Sequence, residues 1–231
     1  MIEELLAAMG DLHSVGTADR LCEACVELLA IDAAAVSLIV EGVNVGTLGA
    51  SGAGARLHDE AQFTYGEGPC LDAVASRASV VVVDLADPRE NRWPAYGPAM
   101  LAHQVRCVYA IPIVVGGAYV GSLDLFQADP VLLTVEQVAG VVIVAELAQI
   151  PMLDLLDRCK TANKADRSAW EELNALTRGE VSQATGMLMA QLDIEAPAAL
   201  VRLRAHAYVT GSSAAAVACD IVGRRLRLDP S

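Results

Sequence analysis

The chain has 231 residues, 54% of them hydrophobic, and a formal net charge of -13 at pH 7. This length can bury one large core or two smaller ones, and two domains are expected. The acidic excess excludes general, sequence-blind nucleic-acid binding, which depends on neutralising phosphates with a clear basic excess.

Acidic residues are concentrated in the first part of the chain. Residues 1–150 contain 19 Asp and Glu against 6 Lys and Arg, whereas residues 151–231 contain 10 of each. Only the second part would tolerate a nucleic-acid partner, so any such binding is expected to be local and dependent on the partner's shape.

No membrane span or secretion signal is expected. The longest apolar run, Val138 to Ala145, is far shorter than the roughly 20 residues that cross a bilayer. The N-terminus lacks the basic region and apolar block of a secretory signal. The six cysteines are therefore expected in a reducing cytoplasm, without disulfides.

In the first 150 residues, two helices are followed by strands and short helices. Apolar positions at helical spacing predict both helices before residue 30. The predicted strands cover residues 35–40, 43–48, 80–84, 108–115 and 118–126, with turns at Glu41-Gly42 and Gly116-Gly117. Helices are expected at residues 70–76 and near Met100. Antiparallel hairpins with flanking helices indicate an α+β fold.

A helical connector is predicted over residues 151–176. Pro151 is expected to kink or break it, and an apolar stripe resumes at Trp170, Leu173 and Leu176. This stripe would pair two chains in a short dimer bundle or pack against its own domain.

Three helices are predicted in residues 177–231. The first ends near Gln191, the second runs from about Pro197 to Thr210, and Ser212 or Ser213 caps the third.

The segment Val181-Ser-Gln-Ala-Thr-Gly-Met-Leu-Met-Ala190 and the spaced positions after it, through Ile221-Val222, resemble an ANTAR domain. That family binds paired RNA stem-loops through unpaired loop bases. The resemblance, with side chains that stack on bases or read their edges, implies RNA binding by Gln183, Thr185, Gly186, Arg204, His206 and Tyr208. Thr185 stands where many family members have lysine, so one cationic contact is missing.

The segments Tyr65-Gly-Glu-Gly-Pro-Cys-Leu-Asp72 and Ala110 to Leu125 resemble a GAF domain, a sensory fold, and place it in residues 1–150. The order of the two resemblances is that of actinobacterial GAF-ANTAR regulators. A GAF domain would hold a small molecule between its sheet and loop helices, and the candidate pocket residues are Phe63, Tyr65, Trp93, Tyr96 and Tyr109. Core packing explains these aromatic residues equally well, and no particular ligand or cofactor is indicated.

The cysteines offer weaker alternatives. Cys22 and Cys25 have metal or redox spacing, but their helical setting and the lack of a second Cys/His pair favour core packing, and no metal site is expected. Cys70 at a helix start would have a lowered thiol pKa and act as a redox sensor.

Together these resemblances imply a cytoplasmic, non-enzymatic, dimeric regulator. A signal sensed by the first domain would align two ANTAR units on stem-loops of a nascent transcript and prevent termination. The main alternative is a protein-interaction regulator whose C-terminal helices bind a protein partner.

Overall fold

The computed structural model describes residues 2–11, 14, 16–161 and 178–229. Most of the predicted connector, including Trp170, Leu173 and Leu176, lies outside the described residues. The described chain forms a sheet covered by helices on both faces, followed by a three-helix unit.

The sheet has five antiparallel strands in the order β2-β1-β5-β4-β3. The strands are β1 Ala33–Val40, β2 Val43–Ala50, β3 Val80–Val82, β4 Cys107–Val115 and β5 Ala118–Gln127. Both predicted hairpins are confirmed. Glu41 and Gly42 have φ values of 51° and 77°, and Gly116 and Gly117 have 58° and 84°, which suits two-residue hairpin turns.

Seven described helices belong to the N-terminal domain: α1 Ile2–Met9, α2 Thr17–Leu29, α3 Ala53–Tyr65, α4 Pro69–Ser76, α5 Tyr96–Ala102, α6 Val135–Leu147 and α7 Gln149–Thr161. The helix α3 is absent from the sequence-based expectation. It joins β2 to the segment predicted as a helix at residues 70–76.

Side-chain alternation along the strands gives the sheet two apolar faces. Val36, Leu123 and Leu125 pack against α1, α2, α6 and α7 on one face. Ala35, Val108 and Phe126 pack beside Trp93 and Met100 of the α3–α5 side on the other face. The helices α3 and α6 therefore lie on opposite faces of the sheet.

The break between α6 and α7 lies near Pro151, as the sequence predicts. The first helix ends at Leu147, and Pro151 lies in the first turn of α7, where its missing N–H costs little. The stretch Val135–Leu155 is long and apolar enough to cross a membrane by length and composition, and 44% of its apolar window is buried inside the protein. A core helix passes the same test.

The C-terminal unit consists of α8 Gly179–Leu192, α9 Ala196–Thr210 and α10 Ala214–Val222. Small residues let the helices approach closely, because Ala184, Ala207 and Ala218 are completely buried around Leu188 and Leu203. The predicted stops are also observed. Gly211 ends α9 with φ 64°, and the Ser213 hydroxyl accepts a hydrogen bond from the Ala216 N–H at 3.1 Å to cap α10.

Candidate functional site

The contact between the N-terminal domain and the C-terminal unit is organised around Arg178, immediately before α8. Its side chain is only 8% exposed and donates to Glu60 at 2.8 Å, to the Asn44 side chain at 2.9 Å and to Asp59 at 3.4 Å. Its guanidinium also stacks over Phe63, 4.3 Å from the ring centroid. One side chain thus ties the C-terminal unit to β2 and α3.

A buried polar cluster lies on the far side of Asp59. Asp59 and Asp124 are fully buried, and the Ser37 hydroxyl lies 2.6 Å from the first carboxylate and 2.9 Å from the second. Thr47 and Asn44 also donate to Asp59. Gln62 donates to Asp124 at 2.9 Å.

The Ser37 hydroxyl lies between the two buried carboxyl groups. A serine hydroxyl can donate to only one of two carboxylates, so the second contact needs a proton from the carboxyl group. Burial, followed by the nearby Asp59 charge, raises the pKa of Asp124 to about 7. Asp124 is therefore partly protonated near neutral pH.

The same helix α3 also satisfies the first turn of α10. The N–H of Ala214 donates to the Thr64 hydroxyl at 3.0 Å, and that of Ala215 to the Glu60 carboxylate at 3.3 Å. These are backbone donors that a helix cannot satisfy internally, and a carboxylate is favourable at a helix N-terminus. The C-terminal unit is consequently docked by charge and by backbone capping.

Two aromatic contacts extend the interface along α9. The Arg204 guanidinium stacks over Phe63 at 4.7 Å from the ring centroid, and Tyr208 meets Tyr65 edge-to-face at 6.0 Å between centroids. Burial, followed by the charge of Arg178, lowers the pKa of Arg204. Two of the predicted RNA-binding side chains therefore contact the N-terminal domain.

The structure divides the six predicted RNA-binding residues into two groups. Thr185, Gly186 and Arg204 line a groove that faces the N-terminal domain, and Tyr208 lies against Tyr65. Gln183 and His206 are not part of that groove lining. The Thr185 hydroxyl donates to the Val181 carbonyl at 2.7 Å, so its proton is already used within α8.

The five predicted pocket aromatics do not converge on one cavity. Phe63 lines the groove between the domains, whereas Trp93 lines a separate cavity of about 380 Å³ and donates to Asp72 at 3.1 Å. Tyr96 is buried in the α3–α5 core, and its hydroxyl has no partner among the described residues. Tyr109 lies on the opposite face of the sheet, where its hydroxyl accepts from the Leu133 N–H at 2.9 Å.

The prediction of a lowered pKa for Cys70 is wrong. Its thiol is fully buried, and burial, followed by the charges of Asp124 and Asp59, raises its pKa well above the ordinary value. Burial, together with the two carboxylates, thus outweighs the effect of the helix start on the pKa of Cys70. Burial likewise raises the pKa of Cys25 to about 12, and both Cys22 and Cys25 lie in the α2 core.

The residues that form the docking contact were missed by the sequence interpretation. Arg178, Asp59, Glu60 and Asn44 come from three separate segments, and no short motif connects them. The sequence does show polar side chains in residues 58–62 beside the apolar Phe63. This pattern is typical of an exposed helix face, and it indicates a buried polar face only once Arg178 is known to pack against it.

Family comparisons identify both parts of the chain. A model for the GAF domain matches residues 14–150, and a model for the ANTAR domain matches residues 174–222. No curated protein matched the sequence.

Among solved structures, the GAF domain of an Acinetobacter phosphoenolpyruvate-protein phosphotransferase is 10% identical, with a TM-score of 0.50 over 71% of this chain and 96% of that chain. The corresponding GAF domain from Coxiella burnetii is 17% identical, with a TM-score of 0.49 over 70% and 99%. Free methionine-R-sulfoxide reductase from Neisseria meningitidis is 18% identical, with a TM-score of 0.43 over 66% and 84%. At these identities the likeness concerns the fold alone.

Proposed function

Because the chain belongs to the GAF domain family and carries an ANTAR domain behind it, we propose that it is a signal-responsive transcription antitermination regulator. The ANTAR domain implies RNA binding, and the GAF domain implies a sensor. The specific target is a stem-loop in a nascent transcript, and the signal acts on the contact between the two domains.

The observation that carries this proposal is the position of Arg204 and Tyr208. Both side chains are candidates for stacking on unpaired bases, and both contact aromatic residues of the N-terminal domain. RNA and the N-terminal domain would then compete for one face of α9. Competition of this kind couples a signal in one domain to RNA binding by the other.

The regulator is proposed to act as a cytoplasmic homodimer without catalytic activity. Support for pairing comes from α6, where Val135, Val138 and Val142 are 87%, 47% and 47% exposed. Their spacing places them along one side of a helix, and a second copy would bury that side. The proposed sensor and RNA contacts require no catalytic residue.

Binding to a two-hairpin RNA across a salt series tests the function. We expect the logarithm of affinity to fall linearly with the logarithm of salt concentration, and affinity to drop in Arg204→Ala and Tyr208→Ala. Arg89→Ala, which removes an arginine that is 91% exposed in the N-terminal domain, serves as the charge-matched control.

A salt-insensitive complex with a protein partner, together with no RNA binding at low salt, would replace this function with the protein-interaction alternative. Equal RNA affinity in wild type, Arg204→Ala and Tyr208→Ala would instead place the RNA contact elsewhere on the protein.

A further inference from the structure

An apolar groove of about 880 Å³ separates the sheet edge from the C-terminal unit. The wall from the N-terminal domain includes Val40, Val43 and Val45, and the wall from the C-terminal unit includes Met189, Leu200 and Val201. Its size is within the range of small-molecule sites, which are mostly apolar with a few placed polar groups. The apolar walls alone do not identify an occupant.

A charged group in the groove narrows the choice of occupant. Arg204 lines the groove, and its Nε is buried without a hydrogen-bond partner among the described residues. Arg178, which also lines it, already has Glu60, Asn44 and Asp59 as acceptors. A buried guanidinium donor without an acceptor is costly, so the Nε–H of Arg204 favours an occupant that brings a hydrogen-bond acceptor.

Gly186 leaves additional space in the same wall. Glycine within a helix costs roughly 1 kcal/mol relative to alanine, and close packing commonly explains it. Here a Cβ added at Gly186 would meet nothing within 4 Å, so packing among the described residues does not require glycine. The missing side chain instead widens the groove beside Thr185 and Met189.

We propose that this groove binds an amphiphile with one carboxylate and an unbranched acyl chain, that is, a fatty acid. The chain occupies the apolar groove, and the carboxylate accepts from the N–H edge of the Arg204 guanidinium, whose face stays stacked on Phe63. A carboxylate matches the planar edge of a guanidinium and supplies the acceptor that the Arg204 Nε–H lacks. A phosphate dianion would place a second negative charge near Glu60.

Such a ligand would contact both domains at once. It therefore binds the docked arrangement more tightly than the separated one and shifts the population toward docking. By linkage it weakens RNA binding, since RNA requires the same face of α9. Only this effect on RNA rests on the proposed function; binding of the ligand does not.

Calorimetric titration of the full chain with sodium dodecanoate, below its micelle concentration, tests the site. We expect one equivalent to bind, and dodecanol, which lacks the charge, to bind at least tenfold more weakly. Dodecyl phosphate is the second head-group probe, and it is expected to bind more weakly than dodecanoate.

Two variants and a control separate the groove from other surfaces. Arg204→Met keeps an apolar stem and is expected to weaken dodecanoate binding at least tenfold. Gly186→Leu fills open space in the groove and is expected to abolish binding. Arg89→Met, at an arginine 91% exposed outside the groove, is expected to bind as wild type does.

No dodecanoate binding by the wild type, or equal binding of dodecanoate and dodecanol, would overturn the proposal without relying on any variant. Equal binding by wild type and Gly186→Leu, with circular dichroism showing both folded, would also overturn it. If dodecanoate binds as expected while the two-hairpin RNA never binds, the ligand site stands and the proposed function fails.

Discussion

Arg178 has a left-handed backbone conformation, with φ 50°, that costs an L-residue roughly 1–2 kcal/mol. Its contacts with Glu60, Asn44 and Asp59 offset this cost. Asp59 is completely buried, and Arg178 is the cation paired with it. A buried ion pair does not by itself ensure stability, but loss of one partner leaves an uncompensated charge.

Replacing Arg178 with alanine is therefore expected to undock the C-terminal unit. The free energy of unfolding should fall by about 3 kcal/mol, as for a buried pair that has lost one partner. Hydrogen exchange should accelerate at the amides of Ala214 and Ala215, whose acceptors lie on α3. Unchanged exchange at these amides, relative to Arg89→Ala, would show that Arg178 does not hold the contact.

His58 provides a prediction about pH. Burial, followed by the charge of His103, lowers the pKa of His58 from 6.5 to about 4, and its Nδ1 has no partner among the described residues. Between these values the unfolded chain binds a proton that the folded chain does not, so stability falls as pH falls from about 6.5 to 4.

The variant His58→Phe should lose this part of the pH dependence. The difference in free energy of unfolding between His58→Phe and wild type should be more favourable to the variant at pH 4.5 than at pH 7. After allowance for the partial exposure of His58, we expect this change to be about 1–2 kcal/mol. Urea unfolding at the two pH values measures the difference. Parallel pH profiles for the two proteins would contradict the assignment of a neutral buried imidazole.

At the scale of elements, the hairpins were predictable and α3 was not. The hairpins have two-residue turns with Gly42 or Gly116-Gly117, where a positive φ is needed, and their strands are rich in valine. In α3 the polar residues Asp59, Gln62 and Thr64 are buried, contrary to the usual amphipathic pattern. Their burial is satisfied by residues distant in sequence, which local periodicity cannot show.

The three C-terminal helices were also predictable from their stops and caps. Ser213, which directly precedes α10, caps it with its hydroxyl. Thr64 and Glu60 of α3 accept hydrogen bonds from two further N–H groups of its first turn. Only the first of these is visible in sequence. Ser213→Ala is expected to lower the free energy of unfolding by about 1 kcal/mol, as measured by urea denaturation. A loss below a few tenths of a kcal/mol would mean that the α3 contacts alone secure the helix start.

Two glycines should respond to alanine in opposite directions. At Gly49 a Cβ would lie 2.4 Å from the Ala18 carbonyl carbon, so Gly49→Ala should separate α2 from β2 and destabilise the fold by about 1–3 kcal/mol. At Gly186 the added methyl meets nothing within 4 Å, and Gly186→Ala should be stabilising by up to about 1 kcal/mol. Thermal unfolding of both variants checks the contrast; a destabilised Gly186→Ala would contradict it.

At the scale of the whole molecule, the two resemblances predicted both domains and their order, but not their contact. Arg204 and Tyr208 are predicted to stack on RNA bases, and in the structure each lies against an aromatic ring of the N-terminal domain. Arg178 joins the same two parts of the chain, and its partners lie 118, 119 and 134 residues away in the chain. The docked arrangement is the proposed RNA-closed state.

The proposed response to a signal is a shift between docked and separated domains. If only a fraction of the molecules has separated domains without the signal, RNA affinity is reduced by that fraction. A signal that separates the domains in all molecules therefore raises RNA affinity by the inverse of the fraction. Removing Arg178 should have the same effect without any signal, although it also removes a positive charge that would otherwise attract RNA. The sign of the change therefore separates release of the RNA-binding face from simple electrostatics.

The most direct measurement compares the affinity of wild type, Arg178→Ala and Arg89→Ala for the same two-hairpin RNA at one fixed salt concentration. We expect at least tenfold tighter binding by Arg178→Ala and little change in Arg89→Ala. Equal or weaker RNA binding by a folded Arg178→Ala protein would contradict the claim that the N-terminal domain covers the RNA-binding face.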